Sequence, residues 1–147
     1  MLRRLRSLSP DDRRLIAAAF ARLAAARLWL AVVPFRHVAP RLGTRIAPAT
    51  DAPLAPVDPA AADTARRIRR AIAIAARNAP FRALCFQQAA AAKRMLNARR
   101  IPNALYLGAA VDPATGAMRA HAWVRVGAIG VTGFPVDPDM VAVARFD

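Results

Sequence analysis

The stretch IPNALYLGAAVDPATGAMRAHAWVRV, residues 101–126, decides the fold class. After Pro102 the helical spacing of apolar residues stops, and "ALYLGAAV" (104–111) reads as a strand. "DPATG" (112–116) is a turn in composition, and "RAHAWVRV" (119–126) alternates in the way of a half-buried strand. "GAIG" (127–130) offers a second turn and "VTGFPV" (131–136) a third, weaker strand, because Pro135 cannot donate to a central ladder. This end of the chain is therefore expected to form a small antiparallel sheet.

Working back from it, the grammar is helical. "CFQQAAAAKRMLNAR" carries Cys85, Ala89, Ala92 and Leu96 on one face of a helix expected from about Leu84 to Arg99. "DPAAADTARRIRRAIAIAARNAP" (58–80) opens another, with Ile68, Ile72 and Ala76 on one side and Arg66, Arg70 and Arg77 elsewhere. "SPDD" (9–12) marks the first helix start: Ser9 as cap, Pro10 at the first helical position, Asp11 and Asp12 at the positive dipole end. Ile16, Phe20, Leu23 and Leu30 follow at helical spacing, Arg27 snorkels from that stripe, and Pro34 ends the helix. Residues 40–59, rich in Pro, Ala and Asp without periodicity, read as a wrapping loop. The sum is α+β, a helical N-terminal half packed on a small antiparallel sheet. A chain of 147 residues fits one domain, 1–147, with 1–58 as N-terminal helix and wrapping loop and 59–147 as core.

Much of the hydrophobic fraction of 56% is alanine, so the core must rest on few large side chains. Net charge is +14; every acid is Asp and every base except Lys93 is Arg. Such a surface attracts phosphates, anionic headgroups or an acidic partner, or it simply keeps an Ala-rich fold solvated. A single cysteine excludes an intramolecular disulfide and a structural Cys-cluster zinc site, and fits a reducing cytoplasm. Arg13, Arg14, Arg22 and Arg27 interrupt the N-terminal apolar stretch, so neither a spanning helix nor a cleaved signal is expected. An in-plane amphipathic helix with Trp29 at a membrane surface stays open.

Chemistry concentrates on Cys85 and His121. Cys85 falls in the first turn of its helix, where unpaired N–H groups and the dipole favour a thiolate and could hold an oxyanion. His121 lies mid-strand between Ala120 and Ala122, and a strand laid against the cysteine helix would make it the thiol's base. His37, in "PFRHVAP", has no companion. A third group should orient the imidazole. If "GAIG" turns a hairpin, Val126 faces roughly Val131 and His121 roughly Val136, so Asp137 is the nearest acid and Asp139 the next. "VDPD" is equally the composition of an ordinary turn.

The Arg-rich helix ending "PFR", then "FRALCFQQAAAAKRMLNARRIP", then "LYLGAAVDPATGAMRAHAWVRV" resembles the lasso peptide biosynthesis B2 proteins, the leader-removing cysteine peptidases of the transglutaminase-like superfamily. The resemblance implies a papain-like or transglutaminase-like core with Cys85 as nucleophile and His121 as general base and acid. It also implies an acid about a dozen positions after the histidine, where this chain has Thr132 and Gly133; Asp137 substitutes after a register shift, or the dyad works without a carboxylate. The implied reaction is cleavage between leader and core of a ribosomally made precursor peptide, without metal or organic cofactor. The freed core amine would pass to a separate ATP-dependent cyclase. A separate leader-recognition protein would act in trans.

Two rivals use the same residues differently. A non-enzymatic basic module would bind nucleic acid or an anionic membrane surface, but the Arg residues are spread over several helices, no nucleic-acid motif is present, and the sparse aromatics form no stacking platform. Alternatively, the same thiol and imidazole would transfer the acyl group to an amine instead of water.

Overall fold

The computed structural model describes residues 8–46 and 55–147; the basic residues 1–7 and the middle of the Pro-rich connection, 47–54, lie outside the described residues. Helix α1 (Pro10–Val32) starts as "SPDD" requires, with the Ser9 hydroxyl accepting from the Asp12 N–H at 3.1 Å and Pro10 in the first turn. Its Leu15, Ile16, Ala19, Leu23 and Ala26 are buried, while Phe20 and Leu30 are half-buried at the edge of the stripe. Helix α3 (Pro59–Asn78) is capped by Asp58, whose carboxylate accepts from the Ala61 N–H at 2.8 Å. Arg67 of α3 reaches Asp12 of α1 at 2.9 Å, pinning the start of α1 to the middle of α3. Between α1 and α3 lie a short helix, α2 (Phe35–Val38), a 3-10 turn (Ala39–Leu42) and β1 (Arg45–Ile46). The expected featureless loop thus begins with structure, because Val38 and Leu42 bury themselves in the core.

Helix α4 (Cys85–Asn97) ends two residues short of the expected Arg99, in a turn through Arg100, which takes a φ of 54°. The N–H of Ile101 closes that turn on the Leu96 carbonyl at 3.1 Å. The chain then enters β2 (Ala104–Val111), β3 (Met118–Val126), β4 (Ile129–Thr132) and β5 (Val141–Phe146). The sheet is antiparallel, in the order β1-β5-β2-β3-β4. The α+β expectation is met, with helices on one face of an antiparallel sheet.

Two details of the sheet differ from the sequence reading. The hairpin turns at Gly127 and Ala128, so Val126 pairs with Ile129 and Val124 with Thr132, and the strand stops before Pro135. Gly127 supplies the positive φ, 53°, that so tight a turn demands. The second difference is β5, which the reading missed and which lies centrally between β1 and β2.

The principal core lies between the helices and one face of the sheet. Its largest fully buried side chains include Leu23, Ile68, Ile72, Met95, Leu96 and Leu105, and alanines 19, 65, 75, 89, 91 and 92 let the backbones approach around them. Ala122, Val124 and Val126 present the β3 side of that face. The outer face carries a second, smaller cluster: Ala104, Tyr106, Trp123 and Ala142, covered by Val136 and Met140 of the 133–140 segment. Arg66, Arg69, Arg70 and Arg77 remain exposed along α3.

By length and composition α1 could cross a membrane, with a mean hydropathy of 1.7. Its apolar stripe instead closes the core. Arg27 snorkels as expected, its guanidinium 5.3 Å from the Phe81 ring centre. Trp29 has the guanidinium groups of Arg94 and Arg41 at 5.0 and 6.0 Å from its ring.

Candidate active site

Cys85 is the first residue of α4 and is half-buried against the principal core. The preceding cap residue, Leu84, has no side-chain oxygen with which to accept from the first-turn N–H groups. The start of the helix is held another way. Gln87 folds back so that its Oε1 accepts the Leu84 N–H at 3.0 Å, and Gln88 donates from Nε2 to the Ala83 carbonyl at 2.8 Å. Two glutamines therefore fasten the approach segment while leaving the helix mouth without a side-chain acceptor, the condition under which backbone N–H groups can serve an incoming anion.

His121 lies on β3 opposite Gly108 of β2. Directly paired residues share a face, and the ideal Cβ position at Gly108 falls 2.6 Å from the Trp123 ring. His121 thus belongs to the outer face, where its ring stacks on Trp123 at 6.0 Å between centroids. Its Nε2 lies 2.7 Å from the Gly133 carbonyl oxygen. A carbonyl can only accept, so Nε2 carries the proton, and in the neutral ring Nδ1 is left as the basic nitrogen.

Helix α4 is anchored to the sheet at Lys93. Lys93 of α4 donates to the Phe146 carbonyl at 3.1 Å, and Phe146 is the partner of Leu105. From Lys93 back to Cys85 the helix climbs about 12 Å; from Leu105 to Gly108 the strand climbs about 10 Å. Along the sheet, Cys85 lies beyond that anchor on its helix and His121 beyond it on β3. They approach it from opposite sides, the thiol with the inner cluster and the imidazole with the outer one, and among the described residues no hydrogen bond joins them. The sheet is narrow at His121: β4 pairs only with Val124–Val126, so β3 has lost that neighbour where His121 emerges.

The expected orienting acid is not on the ring. Asp137 gives one carboxylate oxygen to Arg119 at 2.9 Å and accepts the Asp139 N–H on the other at 3.1 Å. Those two interactions, the backbone N–H foremost, hold its carboxyl below the usual range. The register estimate fails because the two-residue turn ends β4 at Thr132, and the segment beyond brings Gly133, not Asp137, to the imidazole. Asp139 offers the site only its backbone N–H. His37 is exposed in α2.

Gly133 is the site residue that sequence reasoning missed. It takes a φ of 78°, and a Cβ there would collide with the Ala122 carbonyl oxygen and lie 2.7 Å from Trp123 Cβ. No side chain fits, so the carboxylate sought near this position is replaced by a main-chain oxygen. The neighbouring Thr132 hydroxyl is buried with no hydrogen-bond partner among the described residues. Among the described residues no group of three His, Cys or Asp side chains is placed to hold a metal.

The profile of the transglutaminase-like superfamily matches residues 29–145, a span that holds Cys85, His121, α2 to α4 and all of the sheet but Phe146. The chain belongs to the transglutaminase-like superfamily. No curated protein and no solved structure matches it. Within this transglutaminase-like fold, the arrangement offers a thiol at a helix mouth and an imidazole with a fixed tautomer, the parts needed for cysteine-based acyl chemistry.

Proposed function

We propose that this protein is a cysteine peptidase that removes the leader from a ribosomally made lasso peptide precursor. The observation that carries the reading is the His121–Gly133 hydrogen bond, because it reserves Nδ1 for the thiol proton. Superfamily membership and the first-turn position of Cys85 support it.

In the proposed reaction Cys85 and Nδ1 of the Gly133-bound imidazole close on each other around the β3 edge as substrate engages. Nδ1 takes the thiol proton and the thiolate attacks the carbonyl at the leader–core junction. First-turn N–H groups of α4 meet the oxyanion. His121 returns the proton to the departing core amine, leaving the leader as a thioester on Cys85. Water, deprotonated by the same nitrogen, then releases the leader acid and restores the thiol. A separate protein recognises the leader, and the freed amine passes to an ATP-dependent cyclase.

The test is to mix the protein with precursor and recognition partner and follow masses. Leader acid and free core are expected from the wild type and neither from Cys85→Ala. Cleavage that survives Cys85→Ala ends the proposal, and a leader joined to an added amine would assign acyl transfer instead.

A further inference from the structure

The inner face of the sheet continues beyond the mouth of α4, and nothing among the described residues covers it there. Alternation and register put Val111, Met118 and Val141 on that face: Val111 pairs with Met118, Val141 with Ala109, and Leu107 and Ala122 of the same face pack on the core. Yet Val111 is 60%, Met118 78% and Val141 64% exposed, and Ala120 between Met118 and Ala122 is exposed too. The outer face at the same height is covered by 133–140, where Asp137 clasps Arg119. The bareness is thus confined to one side, three strands wide, and begins where the helix bearing Cys85 stops.

Resting on the peptidase reading above, we infer that this shelf binds the substrate peptide and selects apolar side chains beside the bond that Cys85 attacks. A peptide whose carbonyl reaches the thiol at the helix mouth must lay its neighbouring residues over the sheet continuing past that mouth. The shelf offers Ala109, Val111, Met118, Ala120 and Val141, none of them charged. Aliphatic residues of the substrate remove both surfaces from water, whereas charged ones would lose hydration without gaining a partner. Met118, unbranched and the most exposed, adapts to different side chains.

The experiment uses three thiol reagents: iodoacetamide, acetyl-Leu-Leu chloromethyl ketone and acetyl-Gly-Gly chloromethyl ketone. Iodoacetamide is too small to touch the shelf and normalises each rate to the thiol's own reactivity. The wild type is expected to react with the Leu-Leu reagent roughly 10-fold faster than with the Gly-Gly one, the discrimination typical of one apolar subsite. Val111→Asp with Met118→Asp should bring that ratio close to one, and Val111→Thr with Met118→Thr, which retains strand-forming residues, should fall between. A wild-type ratio near one overturns the shelf, as does a preference that survives the double Asp variant. A wild-type dimer in sedimentation that Met118→Asp dissolves, with no reagent preference, would make the face a contact between copies and likewise overturn it. The peptidase reading fails separately, if iodoacetamide labels Cys85 at the same rate and with the same pH profile in His121→Ala.

Discussion

His121 gives its Nε2 hydrogen to the carbonyl oxygen of Gly133 at 2.7 Å. Superfamily resemblance leads one to seek a carboxylate in that place, and a main-chain carbonyl does half of a carboxylate's work. It fixes the ring's orientation and tautomer, but it brings no full negative charge to balance an imidazolium. The consequence is an orienting group that cannot be deleted by changing a side chain, only displaced by adding one.

Gly133→Ala should therefore damage both fold and activity. The new Cβ would meet the Ala122 carbonyl and the Trp123 backbone in a conformation of positive φ, so the segment must move. Strain of this kind costs on the order of 1–3 kcal/mol, measurable by urea unfolding. Precursor cleavage should fall roughly 10-fold or more as the ring loses its fixed tautomer, within the range of acid–base contributions. Nitrogen NMR of the imidazole separates the effects: the wild type should show the Nε2–H tautomer, and the variant a mixture. An unchanged spectrum with unchanged turnover would remove Gly133 from the site.

Asp137→Asn should leave turnover within about threefold of wild type, because the carboxylate is engaged by Arg119 and the Asp139 N–H and not by the imidazole. Its lowered pKa gives the fold a contribution present above the ordinary carboxylate pKa and lost as pH falls through the lowered one. The variant should lack that acid-limb dependence. A loss of turnover comparable to that of His121→Ala would instead return Asp137 to the machinery.

The sequence made the helices and the first hairpin legible because their signals are local. Ser9 and Asp58 cap, Pro10 and Pro59 enter, and the 104–126 stretch alternates within itself. β5 was missed although "VAVARF" alternates too, since its place between β1 and β2 is fixed by pairing across the chain and not by its neighbours. The error at Asp137 came from a turn two residues long where a longer one was counted, and one such slip moves every later residue relative to His121. Gly133 was invisible for a different reason: its contribution is a backbone oxygen, which every residue possesses. Cys85 and His121 stood out as the sole cysteine and a mid-strand histidine, but the face that His121 takes follows from its pairing with Gly108 beside that of Tyr106 with Trp123, which no single strand declares.

Gln87→Leu should loosen the mouth of α4. Gln87 is buried, and its Oε1 is the acceptor of the Leu84 N–H, so an isosteric apolar residue leaves that N–H without its partner. The expected cost is about 1–3 kcal/mol, read by urea unfolding. Because Leu84 immediately precedes Cys85, alkylation of its thiol by iodoacetamide should change as well. Gln87→Glu retains an acceptor and should recover most of the alkylation rate.

Lys93, the sole lysine, is buried with Nζ donating to Asn103 Oδ1 at 3.2 Å and to the Phe146 carbonyl at 3.1 Å. Burial lowers its pKa from 10.5 to about 8, partly opposed by Asp147. Below pH 8 both the folded and unfolded chains hold the proton, and the fold bears the full cost of the buried charge. Between about 8 and 10.5 the unfolded chain keeps a proton that the folded chain releases, so the contribution of Lys93 to stability rises with pH and levels off above that window. The difference in unfolding free energy between wild type and Lys93→Met should therefore shift in favour of the wild type across it. Selective isotopic labelling of lysine gives a single resonance with no overlap, and its titration midpoint in the folded protein should lie near 8. A midpoint near 10.5, with a stability difference flat in pH, would mean that the ammonium reaches water and does not tie α4 to the end of β5.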